Sequence, residues 1–251
     1  MMQPTLIFGA TLAALCTGIY FYVGRVLSRR RQSSPEAAMA WNMFVLWWYA
    51  LAFSTLSSGI LNLLGAFITL PLFTTIYFLN LAATCVALFG LLFYLLYLFT
   101  GKVRLLEPLA IFYILYYFLL VYYVLASTPV GITVNRWNSA LTYENRIQGP
   151  LFYLALFLLA FPQIIGSLAY FMLYFQVKPT TQKYRILLVS WSILIWFLSS
   201  LLASIFNTGQ QDWWQVTSRL IGLGAALTIL MAYQPPSWIR RRFGVAAIAE
   251  G

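Results

Sequence analysis

The chain has no histidine, two cysteines and five acidic side chains in 251 residues. Without histidine there is no His-ligated haem, no His-built metal site and no Ser-His-Asp triad. Cys16 and Cys85 both lie inside apolar runs, which excludes a disulfide-stapled secreted scaffold. The acids are Glu36, Glu107, Glu144, Asp212 and Glu250. None pairs with another inside an apolar run. An intramembrane hydrolase would need such a pair, and a proton pump or ion-coupled transporter would need an acidic relay. The expectation is a non-enzyme, with no catalytic residue, no metal and no cofactor. Charged residues are also scarce, at 8%. Soluble domains carry about 25% charge, so this chain cannot cover a globule in water.

What fills the chain is apolar: 62% of residues are hydrophobic and 18% aromatic. Seven runs are long enough to cross a bilayer, which takes roughly 20 residues. They span about 6–27, 40–64, 72–99, 105–128, 151–176, 184–206 and 213–233, with 234–251 as a tail. The fold class read from them is all-α: one polytopic seven-transmembrane-helix bundle over 1–251. The second and third runs are separated by Gly65 and Pro71 alone. If that turn were absent, the count would be six.

Basic residues mark alternate ends of these runs. Arg25, Arg29, Arg30 and Arg31 follow the first run, Lys102 and Arg104 the third. Lys178, Lys183 and Arg185 join the fifth to the sixth, and Arg240, Arg241 and Arg242 follow the seventh. The other ends have Arg136 and Arg146, with Arg219 inside the seventh run. The positive-inside rule then puts the N-terminus outside and the C-terminal tail in the cytoplasm of a multi-pass cell-membrane protein. The net charge of +10 is split over four short segments. It suits anionic lipids on the cytoplasmic side and gives no basic stripe for nucleic acid.

In the long connection from Pro129 to Pro150, Ile132, Val134 and Arg136 alternate with Thr133 and Asn135, and Leu141 and Tyr143 alternate likewise beyond an Asn138-Ser139 turn. That pattern predicts a small outer β-hairpin between the fourth and fifth helices. It would cover the bundle or touch a ligand directly.

Several side chains could carry function. Arg219 is a charge within a span, costly unless paired, solvated or snorkelling. Asp212 lies seven residues earlier on the same helix face, and Glu144 is in the long loop. At roughly 10 Å of rise Asp212 is too far for direct pairing, and Glu144 could reach down instead; Arg219 would then anchor a ligand or gate the outer mouth, and otherwise it snorkels or is structural. Asn80 and Thr84, one turn apart, form either interhelical glue or a pocket wall. Trp191 and Trp196 stand among serines of the sixth helix. Gln163 follows Pro162 and precedes Gly166, where a proline kink could serve as a hinge. Mid-helix aromatics such as Tyr113, Tyr116 and Tyr117 either line a cavity for an apolar molecule or fill the core.

The layout resembles that of opsin-like membrane proteins. The middle of the seventh helix reads Gly222-Leu223-Gly224-Ala225-Ala226-Leu227, with no lysine, so covalent retinal is excluded. A non-covalent apolar ligand or lipid is compatible. The segment Phe93-Tyr94-Leu95-Leu96-Tyr97-Leu98-Phe99-Thr100-Gly101-Lys102 and the Gly149-Pro150 entry to the fifth helix are similar to the seven-helix N-terminal sensor region of bacterial histidine kinases. That resemblance implies a signal-transducing, receptor-like bundle. The phosphoacceptor His and ATP-binding domain are missing, so output would pass to a separate membrane or cytoplasmic protein partner. The leading expectation is a sensor for a small apolar ligand. The alternatives are an accessory subunit of a membrane complex and a facilitator for a neutral solute.

Overall fold

A computed structural model describes residues 4–30, 34–135, 139–145, 150–206 and 213–244. Most of these are helical. The elements are α1 (Pro4–Ser28), α2 (Pro35–Leu64), α3 (Leu70–Thr100), α4 (Leu106–Ala126), β1 (Pro129–Val134), β2 (Ser139–Tyr143), α5 (Pro150–Gln176), α6 (Thr180–Phe206), α7 (Trp213–Tyr233) and α8 (Ser237–Phe243). A single 3-10 turn, Val103–Leu105, leads into α4. Among the described residues, four helices are long and apolar enough to cross a membrane: α1, α2, α3 and the segment ending in α4.

Helix ends follow capping chemistry more closely than hydropathy. α2 starts five residues before its apolar run, because Ser34 is an N-cap whose hydroxyl accepts from the Ala37 N–H at 3.2 Å. Pro35 supplies the first helical φ and Glu36 sits in the first turn, where a negative charge is favoured. α6 starts four residues early, directly after Pro179. α3 ends at Gly101, which takes a left-handed φ of 66° and donates its N–H to Tyr97 O at 2.8 Å. The apolar stretch around Gly65 is interrupted: Gly65, Phe67 and Ile68 donate back to the carbonyls of Leu61 and Leu64, and α3 restarts at Leu70. α2 and α3 are therefore two helices packed side by side.

The hairpin is present as an antiparallel pair with Ile132 opposite Leu141 and Val134 opposite Ser139. Ser139 is thus a strand residue and not part of the turn. The chain is not purely α-helical for this reason. Thr128 adopts a positive φ of 50° where α4 turns into β1, and its carbonyl accepts from the Glu144 N–H at 3.1 Å. The stretch 234–251 also differs from a plain tail. It begins with the seven-residue α8, closed by Gly244 at φ 63°. Ile239 is buried there while Trp238 points outward.

α1, α2, α3, α5, α6 and α7 form a closed circuit of helix contacts, sealed by α1 against α7. The main core lies within this circuit and includes Tyr20, Phe44, Trp47, Trp48, Leu91, Ile193 and Ile229. α4 stands outside it, against α3 and α5. A separate cluster of Cys85, Leu88, Tyr113 and Tyr116 joins α3 to α4.

Candidate functional site

The α3–α4 contact is incompletely filled. On α3, Ala82, Cys85, Val86 and Phe89 fall on one face at three- and four-residue spacing. On α4, Ala110, Tyr113, Ile114, Tyr117 and Phe118 do the same. The two alanines are too short to fill the space between aromatic neighbours. A cavity of about 410 Å³ results, lined by these nine side chains. Small-molecule sites typically fall between about 300 and 1,000 Å³. Val86, Ile114 and Phe118 are exposed at its rim, so it opens away from the main core. Tyr113 is buried, and its hydroxyl has no hydrogen-bond partner among the described residues. Cys85 beside it is a buried free thiol. Trp196 of α6 packs against both the main core and the α3–α4 cluster.

Arg219 is half-buried on α7 and lies against Gly9 of α1. A methyl group added at Gly9 would overlap its guanidinium. Only a glycine lets the charged group lie against the α1 backbone. Among the described residues Arg219 has no ion pair. Glu144 is exposed, and no ion pair links it to Arg219. Asp212 lies outside the described residues, as do Arg136 and Arg146. The expected Arg219–Glu144 anchor is therefore not assembled.

Asn80 and Thr84 hold helices together. The Asn80 amide donates to Ser54 O at 2.6 Å, and Thr84 shares a hydroxyl contact with Ser54 at 3.1 Å. Both contacts cross from α3 to α2, which is the interhelical-glue reading. Trp191 is 50% exposed and faces outward from α6. Gln163 is buried within α5, which runs through Pro162 as one helix. Gly166 allows Leu91, Leu95 and Ile193 to approach α5, so it acts in packing.

The serines of α6 bind its neighbours. Ser167 and Ser190 exchange hydroxyl-to-carbonyl bonds between α5 and α6 at 3.1 and 2.8 Å. Ser199 and Ser218 do the same between α6 and α7 at 2.7 and 3.0 Å. Ser192 donates to Ala225 O at 2.9 Å.

Two features escaped the sequence reading. The alanine gap, formed by Ala82 and Ala110, needs the pairing of α3 with α4 to be known. Asn62, buried in α2, accepts from the Ser139 N–H at 3.2 Å, and its carbonyl accepts from the Ser139 hydroxyl at 3.2 Å. This pins the hairpin to α2, with Ser139 filling the space beside Gly65. A lone asparagine near the end of an apolar run was the available signal. No family model, curated protein or solved structure matches the chain.

Proposed function

We propose that this chain is a receptor-like, non-enzymatic multi-pass protein of the cell membrane that binds a small apolar ligand and signals through a separate partner. The cavity between α3 and α4 carries the reading. Its walls are aromatic and aliphatic, its volume suits a small molecule, and its rim opens toward the side that lipid would occupy. Seven crossings, an outer N-terminus and a cytoplasmic tail belong to the proposal, supported by seven long helices and the alternation of basic ends. In this reading Trp196 is the coupling residue, because it touches the ligand-side cluster and the main core together. The resemblance to kinase sensor regions is consistent with such a role.

The test is purification in mild detergent followed by mass spectrometry of retained small molecules. Ala110→Phe fills the cavity from within. It should reduce retention of the apolar ligand by about tenfold or more, which corresponds to roughly 1.4 kcal/mol, with an unchanged melting temperature. Equal retention by both proteins would refute the site. Tag accessibility tests the topology, and both termini labelled from one side would defeat the seven-crossing arrangement.

An accessory-subunit role has its own observation. Ile111, Ile114, Leu115, Phe118, Tyr122 and Leu125 of α4 are all exposed. This face could pack on another membrane protein. A stoichiometric co-purifying protein lost on substitution of Leu115 and Tyr122, with no retained small molecule, would favour it.

A further inference from the structure

Packing alone does not account for Tyr113 in the wall of the α3–α4 cavity. Its side chain is 4% exposed, and its hydroxyl has no hydrogen-bond partner among the described residues. Phe89 of α3 meets its ring edge to face at 6.3 Å, and Phe112 of α4 does so at 5.3 Å. These contacts hold the ring in place and give the hydroxyl no acceptor. A buried hydroxyl without a partner is costly. The open space that Tyr113 borders is the cavity, so an occupant of the cavity is placed against this side chain.

Depth limits what can supply the acceptor. Cys85, on the α3 wall, is the middle residue of α3, midway between Leu70 and Thr100. At 1.5 Å per residue each end of the helix is about 22 Å away. The hydrocarbon of a bilayer is about 30 Å thick. In a membrane-crossing α3 this wall therefore lies near the centre of the hydrocarbon, where water is scarce and lipid headgroups do not reach. None of the lining side chains is charged, so an ionised ligand would find no counter-charge. Their polar groups are the hydroxyls of Tyr113 and Tyr117 and the thiol of Cys85, each of which brings a hydrogen to donate. A ligand hydroxyl would add one more hydrogen needing an acceptor. A carbonyl adds acceptor capacity alone. Phe89, Tyr117 and Phe118 complete an aromatic wall, which suits a flat molecule.

We propose that the cavity takes a neutral, largely hydrocarbon molecule with a conjugated carbonyl, such as a ketone or quinone, and that the Tyr113 hydroxyl donates to its oxygen. This ligand class rests on the apolar-ligand reading of the cavity. It adds a polar anchor that fixes which end of the molecule faces Tyr113.

The test uses two flat probes that differ only at one position: 9-fluorenone, which has a carbonyl, and fluorene, which has a methylene there. Their affinities for the full chain in detergent are measured by equilibrium dialysis. Comparing the ratio of the two affinities between wild type and variant cancels their different partitioning into micelles. Tyr113→Phe should lower the preference for fluorenone about three- to tenfold and leave fluorene binding unchanged. The carbonyl stretching band of bound fluorenone should lie at lower frequency in wild type than in this variant. Without a probe, Tyr113→Phe should melt at or above the wild-type temperature, because it deletes a polar group that has no partner. Tyr117→Phe should keep the preference. Ala110→Phe should abolish binding of both probes. An unchanged preference in Tyr113→Phe, with binding of both probes lost in Ala110→Phe, overturns the carbonyl anchor and leaves the apolar site standing. A preference lost in Tyr117→Phe, or a lower melting temperature of unliganded Tyr113→Phe, also overturns the anchor. Absence of saturable binding by either probe, or binding that survives in Ala110→Phe, defeats the cavity as a ligand site and the anchor with it.

Discussion

α2 and α4 are both apolar and both long enough to cross a membrane, yet they are used differently. Thirteen residues of α2 are buried, against three of α4. Hydropathy does not separate them, because α4 is the more apolar of the two. Small side chains and hydrogen bonds do. At Gly90, a Cβ would come within 2.6 Å of Met43 O on α2. At Gly59 a Cβ would sit 3.0 Å from Ala13 on α1, and at Gly24 it would be 3.1 Å from the Tyr49 ring. Asn80, Ser54 and Thr84 add polar contacts across the α2–α3 seam. Lipid tails are as apolar as leucine, so burial in itself drives little helix association in a bilayer. Close backbone approach and interhelical hydrogen bonds make the tight seams. Where large aromatics face short alanines, as between α3 and α4, space is left over.

The sharpest way to break this comparison is Gly90→Val. The new side chain would press on the α2 backbone, and the variant should lose about 2–3 kcal/mol, read as a fall in melting temperature in detergent. A wild-type melting temperature would show that the α2–α3 seam is not set by close approach. Gly9→Val should cost somewhat less, about 1–2 kcal/mol, because the Arg219 side chain can move aside. Combining it with Arg219→Met should recover part of that loss; no recovery in thermal unfolding would mean the two residues do not compete for space. Ser167→Ala should cost about 0.6 kcal/mol, and no more than roughly 1.7, in keeping with interhelical polar contacts in membranes. A double-mutant cycle with Ser190→Ala would measure the coupling, and additive effects would remove the reciprocal pair as a fastener. The smallest effect is expected for Leu115→Ala on the outer face of α4, within about 0.5 kcal/mol. A large loss of stability there would mean that α4 is packed after all.

The helices were legible because each is an apolar run of sufficient length. Their starts were less so: α2 begins at a Ser-Pro-Glu cap whose polarity places it outside a hydropathy window. The hairpin was visible from two-residue alternation and weakened only at Ser139, where an ordinary turn residue serves as the strand's anchor to Asn62. Arg219 stood out as a charge inside an apolar run, but its neighbour Gly9 lies far away in sequence. Nothing in local pattern links them.

The contact of α1 with α7 makes the first long helix a partner of the last. During synthesis, α1 enters the membrane with its Gly9 side unmatched and waits while five more long helices are added. The circuit closes only once α7 has left the ribosome and its arginine reaches that glycine. A chain stopped after α6 would have most of its hydrophobic mass in place and still present an open seam to lipid and to membrane proteases. The Gly9–Arg219 contact is thus one place where the first and last long helices of the circuit are held to each other.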